Sequence, residues 1–392
     1  MKRTGFIWGI VLILLLTGVF FHQTLLEGKL PVPSDALVGL YHPWRDVYAG
    51  AFPRGVPFKN FLITDPVRQQ IPWRKLVIAA WKSGKLPSWN PYTFAGVPLN
   101  ANIQAAPFYP LNVIFFLFNF PVAWTILIII QPFLSGLFLF WYLRSQKLSF
   151  MASLIGAMVW AYGGFAFSWM TWGTITQTAL WAPLSLLAID KLLCFEQTKL
   201  RRACWAFLLT VSVVMCVTAG HAQVAFYMLI LDVIYAFWRM KSGGNPVGFR
   251  WIVLSVVLSI LFTVVQWVPL LQFLPQSGRL SSLESWKKAG WFLPWQNLTQ
   301  FVAPDFFGNP ATLNYWGVWN YGEFIGYIGI IPLVLAISAM FLTGVPVFFS
   351  WAVIASFLFM LPNPISMLPF MFHIPLVSVL QPTQKAPSWA IF

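Results

Sequence analysis

Charge is what this chain has least of. Only 9% of its 392 residues are Asp, Glu, Lys or Arg, against about 25% in soluble domains, so it cannot cover itself with a charged, water-facing surface. Acids are scarcest: ten, against 24 bases, for a net charge of +14. No solvated basic domain accompanies that excess, so nucleic-acid binding is not expected and the bases are assigned first to topology and phospholipid contact. The three cysteines, Cys194, Cys204 and Cys216, show no CxxC spacing and read as small apolar fillers rather than a disulfide framework or metal site. His22, His42, His221 and His373 are scattered. A P-loop, a nucleophile elbow, an HExxH helix and a dinucleotide fingerprint are all missing, which argues against nucleotide-driven work.

What is present is oil: 59% of the residues are hydrophobic, in several runs of about twenty, the length that crosses a bilayer as a helix. The class this implies is an all-α polytopic membrane protein of about nine or more transmembrane helices. Spans are expected at 5–26, 121–143, 150–170, 175–193, 203–220, 222–238, 251–274, 324–342 and 345–361. The chain then divides into a first helix (1–26), a long loop (27–110), a bundle (111–274), a second loop (275–323), two more helices (324–361) and a Pro-rich end (362–392). Residues 388–392 resemble the start of a further helix, so a longer chain is expected. The N-terminal run resembles a signal peptide, but its apolar core is long and no small-x-small site follows, which favours an uncleaved helix. The cytoplasmic ends of the second, fourth and sixth of these spans and the short connectors after them are basic (Arg144, Lys147, Lys191, Lys199, Arg201, Arg202, Arg239, Lys241 and Arg250). Together with Lys2 and Arg3 they put the N-terminus in the cytoplasm and both large loops outside a bacterial-type cytoplasmic membrane.

The loop over 27–110 is polar, aromatic and rich in turn residues, and it holds Asp35, Asp46 and Asp65. Asp35 follows Pro31 and Pro33 at the expected mouth of the bundle. There a carboxylate serves as a general base toward an acceptor hydroxyl, or simply starts a short helix. Asp46 is the nearest alternative, and Asp65-Pro66 reads as a helix start with Pro at the first position. Arg68, Lys75 and Lys82 recur every seven residues on one face of an amphipathic helix, with Trp73, Leu76, Val77 and Ala80 facing away. Such a helix lies in the membrane interface, its bases anchoring headgroups or holding a lipid phosphate. Residues 111–120 are apolar but too few to span, so they too belong at the interface. Trp89, Asn90, Tyr92 and Gln104 offer ring faces and amides for stacking on a sugar, or form a rigid cap. His221 and Gln223 lie where a span reaches the outer side; Glu323 opens a later helix, where the dipole favours it. Asp232 falls inside a span, bonded to a neighbouring helix or functional.

An Asp after the first span with Y-x-P-W behind it, then G-x-L-P-x-W-N-P-Y-x-F-x-G-x-P-L, Q-x-x-x-F-Y-P, G-H-x-Q, P-x-F-F-G and E-x-x-x-Y-I-G, resemble the YfhO-like bacterial membrane proteins. The likeness runs from about Pro31 to Lys385, and its most specific part is W-N-P-Y. These proteins are similar to GT-C-type glycosyltransferases, which transfer a sugar from a polyprenyl-phosphate donor outside the membrane. The resemblance implies a cell-envelope glycan or protein as acceptor, with Asp35 at the acidic position of the first outer loop. Arg45, Arg68, Arg74 and Lys75 are candidates to neutralise the departing phosphate, and a divalent ion (Mg or Mn) is an optional partner. The chain departs from its relatives at Gln381-Pro-Thr-Gln384, where they place arginine near a proline. The rival expectation is a transporter or flippase of lipid-linked glycans; a non-catalytic assembly protein comes third.

Overall fold

The computed structural model describes residues 3–53, 62–276, 291–318, 320–342 and 345–372; the readings on His373 and 373–392 lie outside them. Within these, the regular structure is helical apart from one two-stranded hairpin. Five stretches are long and apolar enough to cross a membrane. They are α7 (Phe120–Ser145), α8 with its continuation α9 (Phe150–Tyr162, Gly164–Trp169), α12 (Lys199–Thr218), α13 (Ala222–Lys241) and α14 (Pro246–Phe273). A sixth is the bent pair α16 (Val345–Met360) and α17 (Pro364–Met371), whose axes meet at 61°. The chain is a multi-pass helical membrane protein, with five to six such helices among the described residues rather than nine.

The spanning helices start where a polar side chain takes up a free N–H of the first turn. Asn119 accepts from Val122, Ser149 from Ala152, Thr198 from Arg201, His221 from Val224 and Asn245 from Val247. On α14, Ser255, Ser259 and Thr263 bond back onto their own helix, and the Ser255 hydroxyl also donates to Ala206 O of α12 at 3.0 Å. Small hydroxyl residues at such a seam let two helices approach closely in lipid.

The differences from expectation have local causes. Over 175–193 the chain makes α10 (Ile175–Ala179) and α11 (Ala182–Leu193), because Pro183 in the first turn of α11 has no N–H with which to continue α10. Twelve residues rise about 18 Å, short of a span of about 30 Å. Instead α11 forms the centre of the bundle, nearly every residue buried. Over 324–342 only α15 (Ile330–Ala339) is helical, since Gly329, at φ +94°, and Pro332 prevent an earlier start. The first helix, α1 (Arg3–Phe20), stops short of Leu26, and α2 (His22–Glu27) follows.

One end of the bundle is tied by Asp190. Its carboxylate accepts from Arg239 Nε at 2.6 Å, from Tyr235 Oη at 2.9 Å and from Gln146 Nε2, while Tyr142 and Tyr235 share a bond of 2.9 Å. This network joins the C-terminal ends of α7, α11 and α13, where the short basic connectors lie. The loop structure gathers at the opposite end.

Candidate functional site

At that opposite end lies a cavity of about 1130 Å³. Several separate pieces of chain line it, Leu62, Ile63 and, from α7, Ile128 among them, and four carry its polar and aromatic side chains. The first is the end of α1 with the segment after it. Gly28 closes α2 in the left-handed region, at φ +68°, and Pro31 and Pro33 lead into α3 (Asp35–Val38). The second is α4 (Trp44–Val47), which supplies Trp44. The third is the α9 exit, with Trp169 and Trp172. The fourth, more than 270 positions after Asp35, is the loop carrying Asn309, Asn320 and Tyr321.

Asp35 is the first residue of a short helix and part of the cavity lining. Its side chain is exposed and forms no hydrogen bond or ion pair among the described residues. Across the lining, the Tyr321 hydroxyl donates to Asp305 Oδ1, and Asn309 Nδ2 donates to the same oxygen at 3.0 Å and to Tyr321 Oη at 3.2 Å. Burial, then the bond to Asp305 and the Asp305 charge, push the Tyr321 phenol well above its ordinary value, so it stays protonated. The loop turns at Gly308, whose φ is +78°; a Cβ there would stand 2.1 Å from Asn314 O. Tyr315 is pushed up to about 12 by burial and then by the Glu323 charge. The cavity therefore combines one carboxylate, indole and phenol rings, and side-chain amides. Rings and amides of this kind can stack on a flat apolar ligand face and bond to hydroxyls.

The other expected site residues are dispersed. Asp46 pairs with His42 Nδ1 at 2.6 Å in the open and does not line the cavity, although its neighbour Trp44 does. Arg45 is exposed beside it. Arg68 is exposed, its guanidinium 5.9 Å from the Tyr41 ring. Pro66 is the first residue of a π-type turn, and Asp65 accepts from Gln69 at 2.9 Å. Burial raises the Asp65 carboxyl, against the lowering effect of Arg68.

That turn runs into α5 (Ile71–Lys82), which is amphipathic as expected. Lys75 and Lys82 are exposed and lie 5.3 Å from the Phe120 ring and 5.9 Å from the Phe116 ring. Arg74 is on the other face. It is fully buried with Val77 and Ile78, its Nη1 donates to Asn112 Oδ1 at 2.6 Å, and burial lowers its pKa to about 10. Residues 111–120 do not span; they form a turn and α6 (Ile114–Leu117), with Phe116, Leu117 and Phe118 exposed.

The W-N-P-Y stretch is a hairpin pairing β1 (Trp89–Asn90) with β2 (Val97–Pro98). Asn90 is buried and holds the turn, accepting from Tyr92 N and donating to Thr93 Oγ1, each at 2.9 Å. The Trp89 indole covers Gly96, where φ is +108° and a Cβ would meet the ring at 2.4 Å. Tyr92 is 81% exposed. None of Trp89, Asn90 and Tyr92 lines the cavity; here the motif makes a rigid cap.

Gln104 accepts from Gln70 Nε2 at 2.8 Å. His221 Nδ1 accepts from Val224 N at 3.2 Å to cap α13, and Gln223 donates to Tyr227 Oη at 3.0 Å. Glu323 is buried directly after Tyr321 and Gly322, which do line the cavity. Asp232 accepts from Ser185 Oγ at 2.7 Å between α11 and α13. Among the described residues no three His, Cys, Asp or Glu side chains come together as a metal site. Sequence reasoning missed Asn309, Asn320 and Tyr321. Their signal was the recurrence in the second loop of the Asn, Pro and aromatic mixture that marked the first.

The fold and cavity define a multi-pass helical membrane protein with a largely apolar, aromatic chamber at one end of its bundle, into which Asp35 and a few side-chain amides project. Compared with known proteins, the chain matches no family model, no curated protein and no solved structure.

Proposed function

We propose that this chain is an inverting membrane glycosyltransferase of the GT-C type, akin to the YfhO-like proteins, acting on a polyprenyl-phosphate-linked sugar outside the cytoplasmic membrane. The observation that carries the reading is the placement of Asp35 in an aromatic cavity opposite Asn309, Asn320 and Tyr321. In this reading the Asp35 carboxylate takes the proton of the acceptor hydroxyl as that oxygen attacks the anomeric carbon. The bond from that carbon to the phosphate oxygen breaks, and the lipid phosphate leaves with the electron pair, inverting the configuration. Trp44, Trp169 and Trp172 provide stacking faces, and Asn309 and Tyr321 hold hydroxyls. Arg45, next to Trp44, and Arg68 are the bases assigned to the phosphate. Arg74 is enclosed and positions the loop, while Lys75 faces headgroups. Orientation follows from the basic connectors at the far end of the bundle, which the positive-inside rule puts in the cytoplasm. The frame then takes α1 and α15, the two shorter apolar helices, as further crossings.

The test is transfer of labelled sugar from a synthetic polyprenyl-phosphate donor by the purified, reconstituted protein. Loss of transfer in Asp35→Asn with normal insertion supports the assignment. Full activity in that variant sinks it.

A further inference from the structure

A second cavity, of about 1180 Å³, opens between α7 and α8 on one side and α15 and α16 on the other. It runs from the α7–α8 turn, at Gln146 and Leu148, to Phe301 at the opposite end of the bundle. Its walls are hydrocarbon: Ile155 of α8, Leu335 of α15 and Leu358 of α16 line it, and each is about half exposed or more. None of the residues of α15 is buried. Protein interiors are close-packed, and this volume exceeds the roughly 300–1,000 Å³ of ordinary ligand sites. Alongside membrane-spanning helices the medium is lipid hydrocarbon, so an apolar chain fits the walls.

The mouth beside the α7–α8 turn is cationic. Lys147 is exposed between two lining residues, Gln146 and Leu148, and Arg144 Nη1 donates to Leu148 O. Among the described residues, the one carboxylate that reaches this turn, Asp190 through Gln146, is already matched by Arg239 at 2.6 Å. No carboxylate pairs with Arg144 or Lys147 among the described residues. Basic groups at the end of an apolar cleft between spanning helices complement an anionic headgroup.

We propose that this cleft binds an anionic glycerophospholipid, with its acyl chains between α8 and α15 and its phosphate at Lys147 and Arg144. The site is separate from the Asp35 cavity and does not depend on the transferase reading.

The experiment is native mass spectrometry of the full chain in detergent, titrated with phosphatidylglycerol or phosphatidylcholine. Phosphatidylglycerol should be retained preferentially. Lys147→Asn, which keeps a residue tolerant of the left-handed backbone at φ +66°, should weaken it about fivefold, as loss of one base at a lipid phosphate implies. Ala336→Trp, which fills the cleft from an exposed position on α15, should abolish retention. Elution of Lys147→Asn as the native species keeps that variant readable if the tryptophan variant does not fold. Equal retention of both lipids, no retained lipid, or unchanged phosphatidylglycerol binding in Lys147→Asn overturns the proposal.

Discussion

Replacing Arg74 by Met removes a fully buried guanidinium whose single hydrogen bond goes to Asn112. Its Nε and Nη2 have no acceptor among the described residues. Burial lowers its pKa from the ordinary arginine value to about 10; at about 1.4 kcal/mol per unit, the fold disfavours the charged form by roughly 3 kcal/mol. Methionine fills similar volume without that penalty. It leaves Asn112 Oδ1 without its donor, a loss of about 1–3 kcal/mol, although Asn112 Nδ2 still donates to Ala106 O at 2.8 Å. The net expectation is a variant more stable by about 0–2 kcal/mol, which neutral or favourable replacement of other buried charges parallels. The sign with pH follows from a folded pKa below the unfolded one. The native penalty is fully present below pH of about 10 and disappears as pH rises towards the ordinary arginine value. Thermal unfolding in detergent at neutral pH measures the difference. A loss of roughly 3 kcal/mol or more in Arg74→Met, the size seen when one partner of a satisfied buried pair is removed, would refute the reasoning.

Other substitutions separate frame from site. Asp190→Asn breaks the partly buried pair with Arg239 and should lower stability by about 1–3 kcal/mol, read by thermal unfolding, with sugar transfer at permissive temperature little changed. Gly308→Ala forces a side chain into the left-handed region against Asn314 O and should reduce transfer by displacing Asn309, with the bundle's thermal midpoint kept. Tyr92→Ala, on the exposed side of the hairpin, should leave both stability and transfer unchanged, whereas Asn90→Ala should lose about 1 kcal/mol with its turn bonds.

Much of the frame was legible because its signals are local. Apolar runs located the long helices, and Asn119, Ser149, Thr198 and Asn245 stand where capping residues are expected. The seven-residue recurrence of Arg68, Lys75 and Lys82 located the exposed face of α5, where Lys75 and Lys82 lie outward. Arg74 was misjudged because charge alone suggested a surface role, while its helical position groups it with Val77 and Ile78. Over 175–193 hydropathy outweighed a single Pro183, although one missing N–H is enough to divide the segment. The W-N-P-Y motif showed that something specific happens there; that it is a turn held by Asn90 and a ring laid on Gly96 is through-space information. The same limit hid Asn309 and Tyr321, which reach the Asp35 cavity only once the second loop folds back over α9, where Gly164 N donates to Tyr327 O at 2.7 Å.

The central claim is that Asp35, alone among the acids of the first loop, works inside the cavity. Transfer rates of Asp35→Asn and Asp46→Asn, measured side by side on reconstituted protein with a labelled polyprenyl-phosphate sugar, address it directly. Removal of a general base lowers rates by about 10²–10⁴-fold, so Asp35→Asn should fall by that factor while Asp46→Asn stays near the native rate. Equal rates in the two variants, or the larger loss in Asp46→Asn, would contradict it.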